Sequence, residues 1–344
     1  MNRRMDWVDN AKAIGIILVV YGHVARGLQG AGINLPEPLY ELTDSVIYSF
    51  HMPLFFFLAG LFFYSSLIKL GRGQLVFSKL DTIVYPYLIW SLLQGSIETL
   101  LSNYTNGNTA FAEVLALLWA PRAQFWFLYA LFFVFLVSTC VYSLMSKRFN
   151  AALFLLAAGL YLFPNVLPQL NVSYFISQNL VFFALGVIFT EYVDTQYTSR
   201  PWFLASALLA FILGQWLFHD ILSLRYEDRG LESLLLAGVS ILLVVSCATY
   251  VSKYHLRWLS FIGASSMAIY MMHILAASGI RVIFNKLGLD SVAMHLILGC
   301  LVGVLAPLGA LVIINRLRIP YVFSAPMSTL FRMLNNKMVL RARH

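Results

Sequence analysis

Long apolar blocks separated by short polar joints are the feature that most constrains this chain. Of its 344 residues, 60% are hydrophobic and only 11% are charged, whereas soluble domains are about 45–50% apolar and about 25% charged. Such blocks are typical of membrane-spanning helices, because a helix needs about 20 apolar residues to cross the hydrocarbon core. The composition excludes a soluble globule and a disordered chain, and it predicts an all-α polytopic helix bundle in a lipid bilayer.

Ten blocks are candidate transmembrane helices, and together they predict a single integral membrane domain over residues 1–344. The fifth and sixth are short, with Pro164 and Pro168 between them, so a bent or broken pair is an alternative there. The predicted spans are 13–28, 46–68, 82–101, 125–145, 151–163, 179–192, 202–218, 233–251, 261–284 and 293–314.

The basic residues predict the orientation of these spans. If the N-terminus is cytoplasmic, 17 of the 23 Lys and Arg residues lie on the inner side, in agreement with the positive-inside rule. An even number of spans also returns the C-terminus to the cytoplasm. The positive-inside rule accounts for the formal charge of +8, so we expect no nucleic-acid partner. The basic residues predicted outside are Arg26, Arg122, Arg225, Arg229, Arg281 and Lys286.

Ionisable residues within the spans are the first functional candidates, because each is costly in hydrocarbon unless it is paired or hydrated. In the first span Asp9 precedes Lys12 by three residues, a spacing that permits an ion pair. His23 follows Lys12 by 11 residues, about three helical turns and about 16 Å on the same face. A snorkelling lysine and a structural histidine are the alternative, but histidine is also the usual general base for a hydroxyl.

Further polar residues accompany His23 in other spans. His51 is predicted at a depth comparable to that of His23, and Gln94 and Glu98 lie four residues apart on one helical face. His273 follows the small residues 263–266, which allow helices to approach closely. Each of these residues could line a polar cavity, or it could be a hydrogen-bonded structural residue or, for Glu98, a carboxylate at the membrane edge.

The predicted inner loop between the second and third spans carries Lys69, Arg72 and Lys79. It could bind an anionic ligand from the cytoplasm, although the positive-inside rule alone accounts for such a loop. No pair of metal ligands at helical spacing and no phosphate-binding glycine motif are present in the sequence. The three cysteines all lie in apolar blocks, so we expect neither a disulfide nor a zinc site.

Four segments resemble the acyltransferase 3 family of membrane O-acyltransferases, in particular its fucose 4-O-acetylase-like branch. The first, residues 7–23, contains Lys12 and His23 separated by ten residues, where many members of the family have arginine in place of the lysine. The second is Phe-His-Met-Pro-Leu-Phe-Phe at residues 50–56. The third pairs residues 85–90 with residues 125–128, and the fourth covers residues 263–273.

The resemblance implies transfer of an acyl group, commonly acetyl, from cytoplasmic acetyl-CoA to a sugar hydroxyl. The acceptor would belong to a surface polysaccharide, an exopolysaccharide or its lipid-linked precursor. The protein would lie in a bacterial inner membrane, where other polysaccharide-synthesis proteins are candidate partners. No permanently bound cofactor and no metal are implied. We assign His23 as general base, Lys12 to CoA positioning and Asp9 to holding Lys12. Arg72 and Lys79 are assigned to donor binding, and the residues assigned to acceptor binding or to orienting His23 are His51, Gln94, Glu98, Trp126 and His273.

Other functions remain open at this level. A transporter or flippase of a lipid-linked saccharide would line its path with the same polar residues without covalent chemistry, although paired half-repeats are not evident. A scaffold within a polysaccharide-synthesis complex is a further alternative. An acetyl-histidine intermediate, which would make the reaction ping-pong, also remains open.

Overall fold

The computed structural model describes residues 6–101, 111–168 and 170–333, and within these ranges the chain is helical throughout, with short turns between helices and no β-strand. The all-α prediction is confirmed. Several basic residues that contribute to the predicted orientation lie outside the described residues, namely Arg3, Arg4, Lys337, Arg341 and Arg343.

The helices of the described residues follow one another with short connections. A five-residue π-helical turn at Leu80–Val84 joins two neighbouring helices, and a second one at Leu217–Ile221 extends the helix that ends at Trp216. In chain order the helices are α1 (Asp6–Gln29), α2 (Glu37–Tyr48), α3 (His51–Leu61), α4 (Phe63–Lys79), α5 (Tyr85–Leu100), α6 (Phe111–Leu115), α7 (Trp126–Leu144), α8 (Asn150–Leu162), α9 (Asn171–Tyr192), α10 (Thr195–Thr198), α11 (Pro201–Trp216), α12 (Leu231–Val251), α13 (Arg257–Ala264), α14 (Ser266–Lys286) and α15 (Val292–Arg316).

Eight helical runs in the described part of the chain are long and apolar enough to cross a membrane, which makes this a multi-pass integral membrane protein. The predicted number of ten is therefore corrected. Two predicted spans form shorter helices, because α5 has 16 residues and α8 has 13, below the ~20 that a crossing requires. The eight runs are Asp6–Gln29, Glu37–Leu61, Phe111–Leu144, Asn171–Tyr192, Pro201–Ile221, Leu231–Tyr254, Ser266–Lys286 and Val292–Arg316.

Several predicted boundaries also differ from the structure. The predicted second span, 46–68, is divided among α2, α3 and α4, and α2 begins at Glu37 within a stretch predicted as an outer loop. Acidic residues lie among the apolar ones in α2, so its sequence indicates a helix less clearly than a uniformly apolar block does. Pro53 falls in the first turn of α3, where its missing N–H breaks no helical hydrogen bond.

Other boundary errors have similar causes. The predicted basic loop is helical, since it forms α4, which is kinked where Gly71 adopts φ +73°. The predicted sixth span, 179–192, begins earlier, at Asn171, and has 22 residues. The predicted ninth span, 261–284, is interrupted at Ser265 between α13 and α14.

The described chain divides into two compact units. Unit 1 contains residues 6–58 and 192–318. Its central element is α1, which contacts α12, α13, α14 and α15. A side chain at Gly263 would collide with the backbone carbonyl of Asp9, so glycine lets α13 lie directly against α1. The predicted close approach at the small residues of this segment is confirmed at Gly263.

Unit 2 contains residues 59–101, 111–168, 170–191 and 319–333. Its centre is aromatic, because Phe63 contacts Phe135 and Phe183 with ring centroids 6.0 and 5.2 Å away. The C-terminal residues of this unit are fixed by Asp81, whose carboxylate accepts backbone N–H bonds from Met327 at 2.7 Å and Ser328 at 2.8 Å.

Candidate functional site

Helix α1 carries the predicted basic residue and histidine without interruption from Asp6 to Gln29. Lys12 Nζ lies 3.6 Å from the Asp9 carboxylate, which confirms the predicted ion pair. Most of the helix is buried, whereas Lys12 and His23 are both half-buried. Because the helix is continuous, the two side chains lie about three turns apart on one face.

His23 lies beside a second predicted histidine, His273 of α14. Their ring centroids are 5.1 Å apart, and His273 is 0% exposed. His273 Nδ1 contacts the carbonyl oxygens of Ile269 at 3.1 Å and Tyr270 at 2.9 Å. Since carbonyls only accept hydrogen bonds, we assign the proton to Nδ1, which leaves Nε2 as an acceptor. His273 Nε2 is buried and has no hydrogen-bond partner among the described residues.

His51 is the third member of what we call the histidine cluster, defined as His23, His51 and His273. It is the first residue of α3 and is 1% exposed. Its Nδ1 bonds the carbonyl of Ile47 at 2.8 Å, and its ring makes an edge contact with Tyr48 at 4.5 Å. His51 and His23 both belong to unit 1. The structure thus brings the three predicted histidines into one unit.

Arg26 connects the histidine cluster to residues that the sequence analysis missed. Its guanidinium donates two hydrogen bonds of 2.7 Å to the Asp44 carboxylate. It lies 3.4 Å from the ring centroid of Tyr48 and 5.1 Å from that of Tyr226. Arg26 follows His23 by three residues, a spacing that places both on one helical face. This spacing could have identified Arg26 from the sequence. Nothing in the sequence distinguishes Asp44, which lies in a predicted loop.

Tyr226 belongs to the segment before α12 and lies outside the membrane-spanning runs. Burial raises the pKa of its phenol, so the ring contacts Arg26 as a neutral aromatic group at physiological pH. Its backbone N–H is bonded to Ser45 Oγ at 2.9 Å. This bond fixes the segment against α2 and explains how a loop residue reaches Arg26.

Gln94 and Glu98 form a network of their own in unit 2, with partners that the sequence analysis did not identify. Gln94 Nε2 donates to Glu98 at 2.8 Å, and Gln124 Nε2 donates to Gln94 Oε1 at 2.6 Å. Arg122 forms an ion pair with Glu98 at 2.7 Å. We call these four residues the glutamine network. The shared face of Gln94 and Glu98 is confirmed, and their hydrogen bonds run within the network.

The remaining predicted site residues also belong to unit 2. The Trp126 ring stacks on Phe175 at 5.7 Å. Arg72 is exposed on α4. Lys79 Nζ lies 4.1 Å from the ring centroid of Phe135, and burial lowers the pKa of Lys79 to about 8.

Another buried histidine of unit 1, His295, provides a comparison. His295 Nε2 bonds the Leu289 carbonyl at 2.7 Å, and its ring makes an edge contact with Phe284. Like His273, it has one ring nitrogen without a hydrogen-bond partner among the described residues. The contact between two histidine rings, rather than burial alone, therefore distinguishes His273 from His295.

The comparisons with known proteins identify the family of this multi-pass helical protein. The chain matches the acyltransferase 3 family (Acyl_transf_3, acyltransferase domain) over residues 5–314. It therefore belongs to this family. No solved structure matches the chain.

Two curated relatives are both nodulation proteins NolL. The chain is 27% identical to the protein from Sinorhizobium fredii over 209 residues, which cover 57% of this chain and 51% of the relative. It is 25% identical to the protein from Mesorhizobium japonicum over 198 residues, which cover 57% of this chain and 50% of the relative. The aligned region therefore spans about half the length of the curated relatives.

Proposed function

We propose that this protein transfers an acetyl group from acetyl-CoA to a hydroxyl of a saccharide, with His23 as the general base. The acceptor is a surface polysaccharide, an exopolysaccharide or its lipid-linked precursor. Membership of the family supports acyl transfer, and the resemblance to the fucose 4-O-acetylase-like branch supports a saccharide acceptor. The observation that carries the assignment of the base is the 5.1 Å contact between the His23 and His273 rings inside unit 1.

In the proposed reaction, a ring nitrogen of His23 removes the proton from the acceptor hydroxyl. The resulting oxygen attacks the thioester carbonyl, and the new C–O bond gives a tetrahedral oxyanion. The C–S bond then breaks, and the CoA sulfur takes the proton from the His23 imidazolium. His273 Nε2 is an acceptor that stabilises the protonated form of His23, while the bonds at Nδ1 keep its ring orientation fixed.

We further propose that both termini are cytoplasmic, in a bacterial inner membrane, so that the positively charged side meets the acyl donor. Lys12, held by Asp9, and Lys79 and Arg72 carry charge that attracts the phosphates of acetyl-CoA. Each of these three basic residues is assigned to donor binding because its side chain is positively charged. The location of the basic residues supports this orientation.

The proposal is tested by incubating the purified protein with acetyl-CoA and measuring free-thiol release in the presence and absence of acceptor. The acceptor is the saccharide fraction extracted from a strain that lacks the gene, and its acetylation is followed by mass spectrometry. We expect His23→Ala to reduce transfer about 10²–10⁴-fold, because a positioned general base contributes this much.

His295→Ala is the control, because it removes a different histidine of unit 1, one that is buried and bonded to the Leu289 carbonyl. Its transfer activity should stay near that of the wild type at equal protein abundance. Near wild-type acetylation by His23→Ala would refute the assignment of the base. Movement of a lipid-linked saccharide across proteoliposomes without thiol release would instead indicate a flippase.

A further inference from the structure

Tyr48 is a side chain next to the histidine cluster whose chemistry the proposed reaction does not yet use. It is the last residue of α2. One face of its ring lies under the Arg26 guanidinium at 3.4 Å, and the ring makes an edge contact with His51 at 4.5 Å. The ring is therefore held both by the charged residue of α1 and by one of the three histidines.

The ring of Tyr48 also packs against α1 at Gly22. A Cβ placed on Gly22 would lie 2.9 Å from a ring carbon of Tyr48 and 3.3 Å from its hydroxyl oxygen. The absence of a side chain at Gly22 thus allows the phenol to lie against the helix backbone. Gly22 directly precedes His23, so the Tyr48 hydroxyl lies at nearly the same position along the axis of α1 as His23, the proposed base.

The Tyr48 hydroxyl is buried and makes no hydrogen bond within the part of the chain that the structure describes. A buried hydroxyl without a partner is unfavourable, and phenylalanine would make the same ring contacts without it. A fixed hydroxyl, on a ring that contacts His51 and packs against the residue before His23, is in contrast what a site needs in order to orient a polar substrate.

The part of α1 that Tyr48 contacts indicates which of the two substrates Tyr48 binds. Its contacts with this helix are at Gly22 and Arg26, in the last two turns, whereas Lys12 lies near the beginning of the helix. If the phosphates of the acyl donor are attracted to the end that carries Lys12, the other end is left for the acceptor. Aromatic rings beside hydrogen-bonding groups suit a saccharide, which presents both C–H faces and hydroxyls.

We propose that the Tyr48 hydroxyl binds the acceptor saccharide by donating a hydrogen bond to one of its oxygens, next to the hydroxyl that His23 deprotonates. Arg26 is a positioning residue, because its bidentate bonds to Asp44 hold the guanidinium against the Tyr48 ring. This inference rests on the proposed acetyl transfer and adds a residue that determines acceptor binding.

The experiment compares Tyr48→Phe with wild type in steady-state kinetics, varying acetyl-CoA and the saccharide fraction from the deletion strain separately. We expect kcat/KM for the saccharide to fall about 10-fold, the size of effect that one hydrogen bond produces. The KM for acetyl-CoA should stay within twofold. Thermal stability in detergent should not fall, since the deleted hydroxyl has no hydrogen-bond partner in the described structure.

Tyr142→Phe is the matched control. Its hydroxyl is also buried and lacks a hydrogen-bond partner among the described residues, but Tyr142 lies on α7 in unit 2. Its kinetic constants should equal those of the wild type. An equal loss in Tyr142→Phe and Tyr48→Phe would show a general effect of removing a phenol and would overturn the inference.

Arg26→Lys tests the positioning role, because lysine keeps the charge but loses the bidentate bonds and the planar stacking. If Arg26 acts through Tyr48, the double variant Arg26→Lys/Tyr48→Phe should lose no more saccharide kcat/KM than the more impaired single variant. Losses that multiply would show an independent role for Arg26 and would contradict this part of the inference.

The inference and the proposed function fail in different ways. If His23→Ala is inactive while Tyr48→Phe keeps the wild-type kcat/KM for the saccharide, the reaction stands and the role of Tyr48 is refuted. If Tyr48→Phe changes only the KM for acetyl-CoA, the assignment to the acceptor is wrong. If His23→Ala remains active, the proposed base itself is wrong.

Discussion

The histidine cluster of unit 1 and the glutamine network of unit 2 are both buried polar groups in an apolar chain, but they use their hydrogen-bonding capacity differently. In the glutamine network, Gln94 and Gln124 are 1% and 2% exposed and are hydrogen-bonded to each other. Glu98 accepts a hydrogen bond from Gln94 and forms an ion pair with Arg122. Around the histidine cluster, His273 Nε2 and the Tyr48 hydroxyl have no hydrogen-bond partner among the described residues.

This difference helps to distinguish buried polar groups that stabilise the fold from those that are available to a substrate. A buried polar group is tolerated when its bonds are made internally, and such a network rigidifies the helices that carry it. A group with unused capacity next to a titratable residue is instead available to a substrate. We therefore expect loss of transfer from changes in the histidine cluster and loss of stability from changes in the glutamine network.

Apart from His23→Ala, the largest effect should come from His273→Leu. We expect it to reduce acetyl transfer about 10²-fold, near the lower limit of general acid–base contributions, because the acceptor beside His23 is lost. Its thermal stability should match that of His295→Leu, since each variant loses ring-to-carbonyl bonding at one buried histidine. Thiol-release rates and detergent melting curves of both variants provide the measurement. A similar loss of transfer in His295→Leu would remove the distinction between the two histidines.

An intermediate effect, on stability, should come from Gln124→Leu. This change removes the donor to the buried Gln94 Oε1, and a buried acceptor without its hydrogen bond costs about 1–3 kcal/mol of unfolding free energy. The kinetic constants of the folded fraction should remain those of the wild type. If transfer instead fell with no change in the melting curve, the glutamine network would bind substrate, as the sequence analysis predicted for Gln94 and Glu98.

The smallest effect should be a pH dependence at Lys79. Because burial lowers the pKa of Lys79 to about 8, its charge is present below this pH and is lost as the pH rises through it. If Lys79 attracts the phosphates of the donor, the KM for acetyl-CoA should rise several-fold between about pH 7 and pH 9. Lys79→Arg should show a flat profile, since arginine stays charged over this range. The same rise in both proteins would exclude Lys79 as its cause.

Much of the helical architecture was predictable because apolar blocks report directly on burial in lipid. All ten predicted segments contain helix, and α1 carries Asp9, Lys12 and His23 at the predicted spacing. The errors occurred where helices are short or amphipathic. Helix α2 begins in a predicted loop, and α5 and α8 are shorter than a full crossing.

The candidate site was predictable only in part. His23, His51 and His273 could be selected individually, because ionisable residues are rare in apolar blocks. Their common location could not be read from the sequence, since contact between residues 23 and 273 depends on the packing of α14 against α1. Tyr48 carried no sequence signal at all, because one tyrosine among 18 is unremarkable until its surroundings are known.

The sequence by itself determined that this chain is a helical membrane protein, and it determined which residues on α1 share a face, because hydropathy and helical periodicity are local properties. Only the tertiary structure decided that Arg26 binds Asp44 rather than facing outer solvent, that Glu98 pairs with Arg122, and that His273 lies beside His23. These pairings join residues far apart in the chain. They follow from how helices pack, through contacts such as Gly263 against the Asp9 carbonyl, and not from the pattern of any single segment.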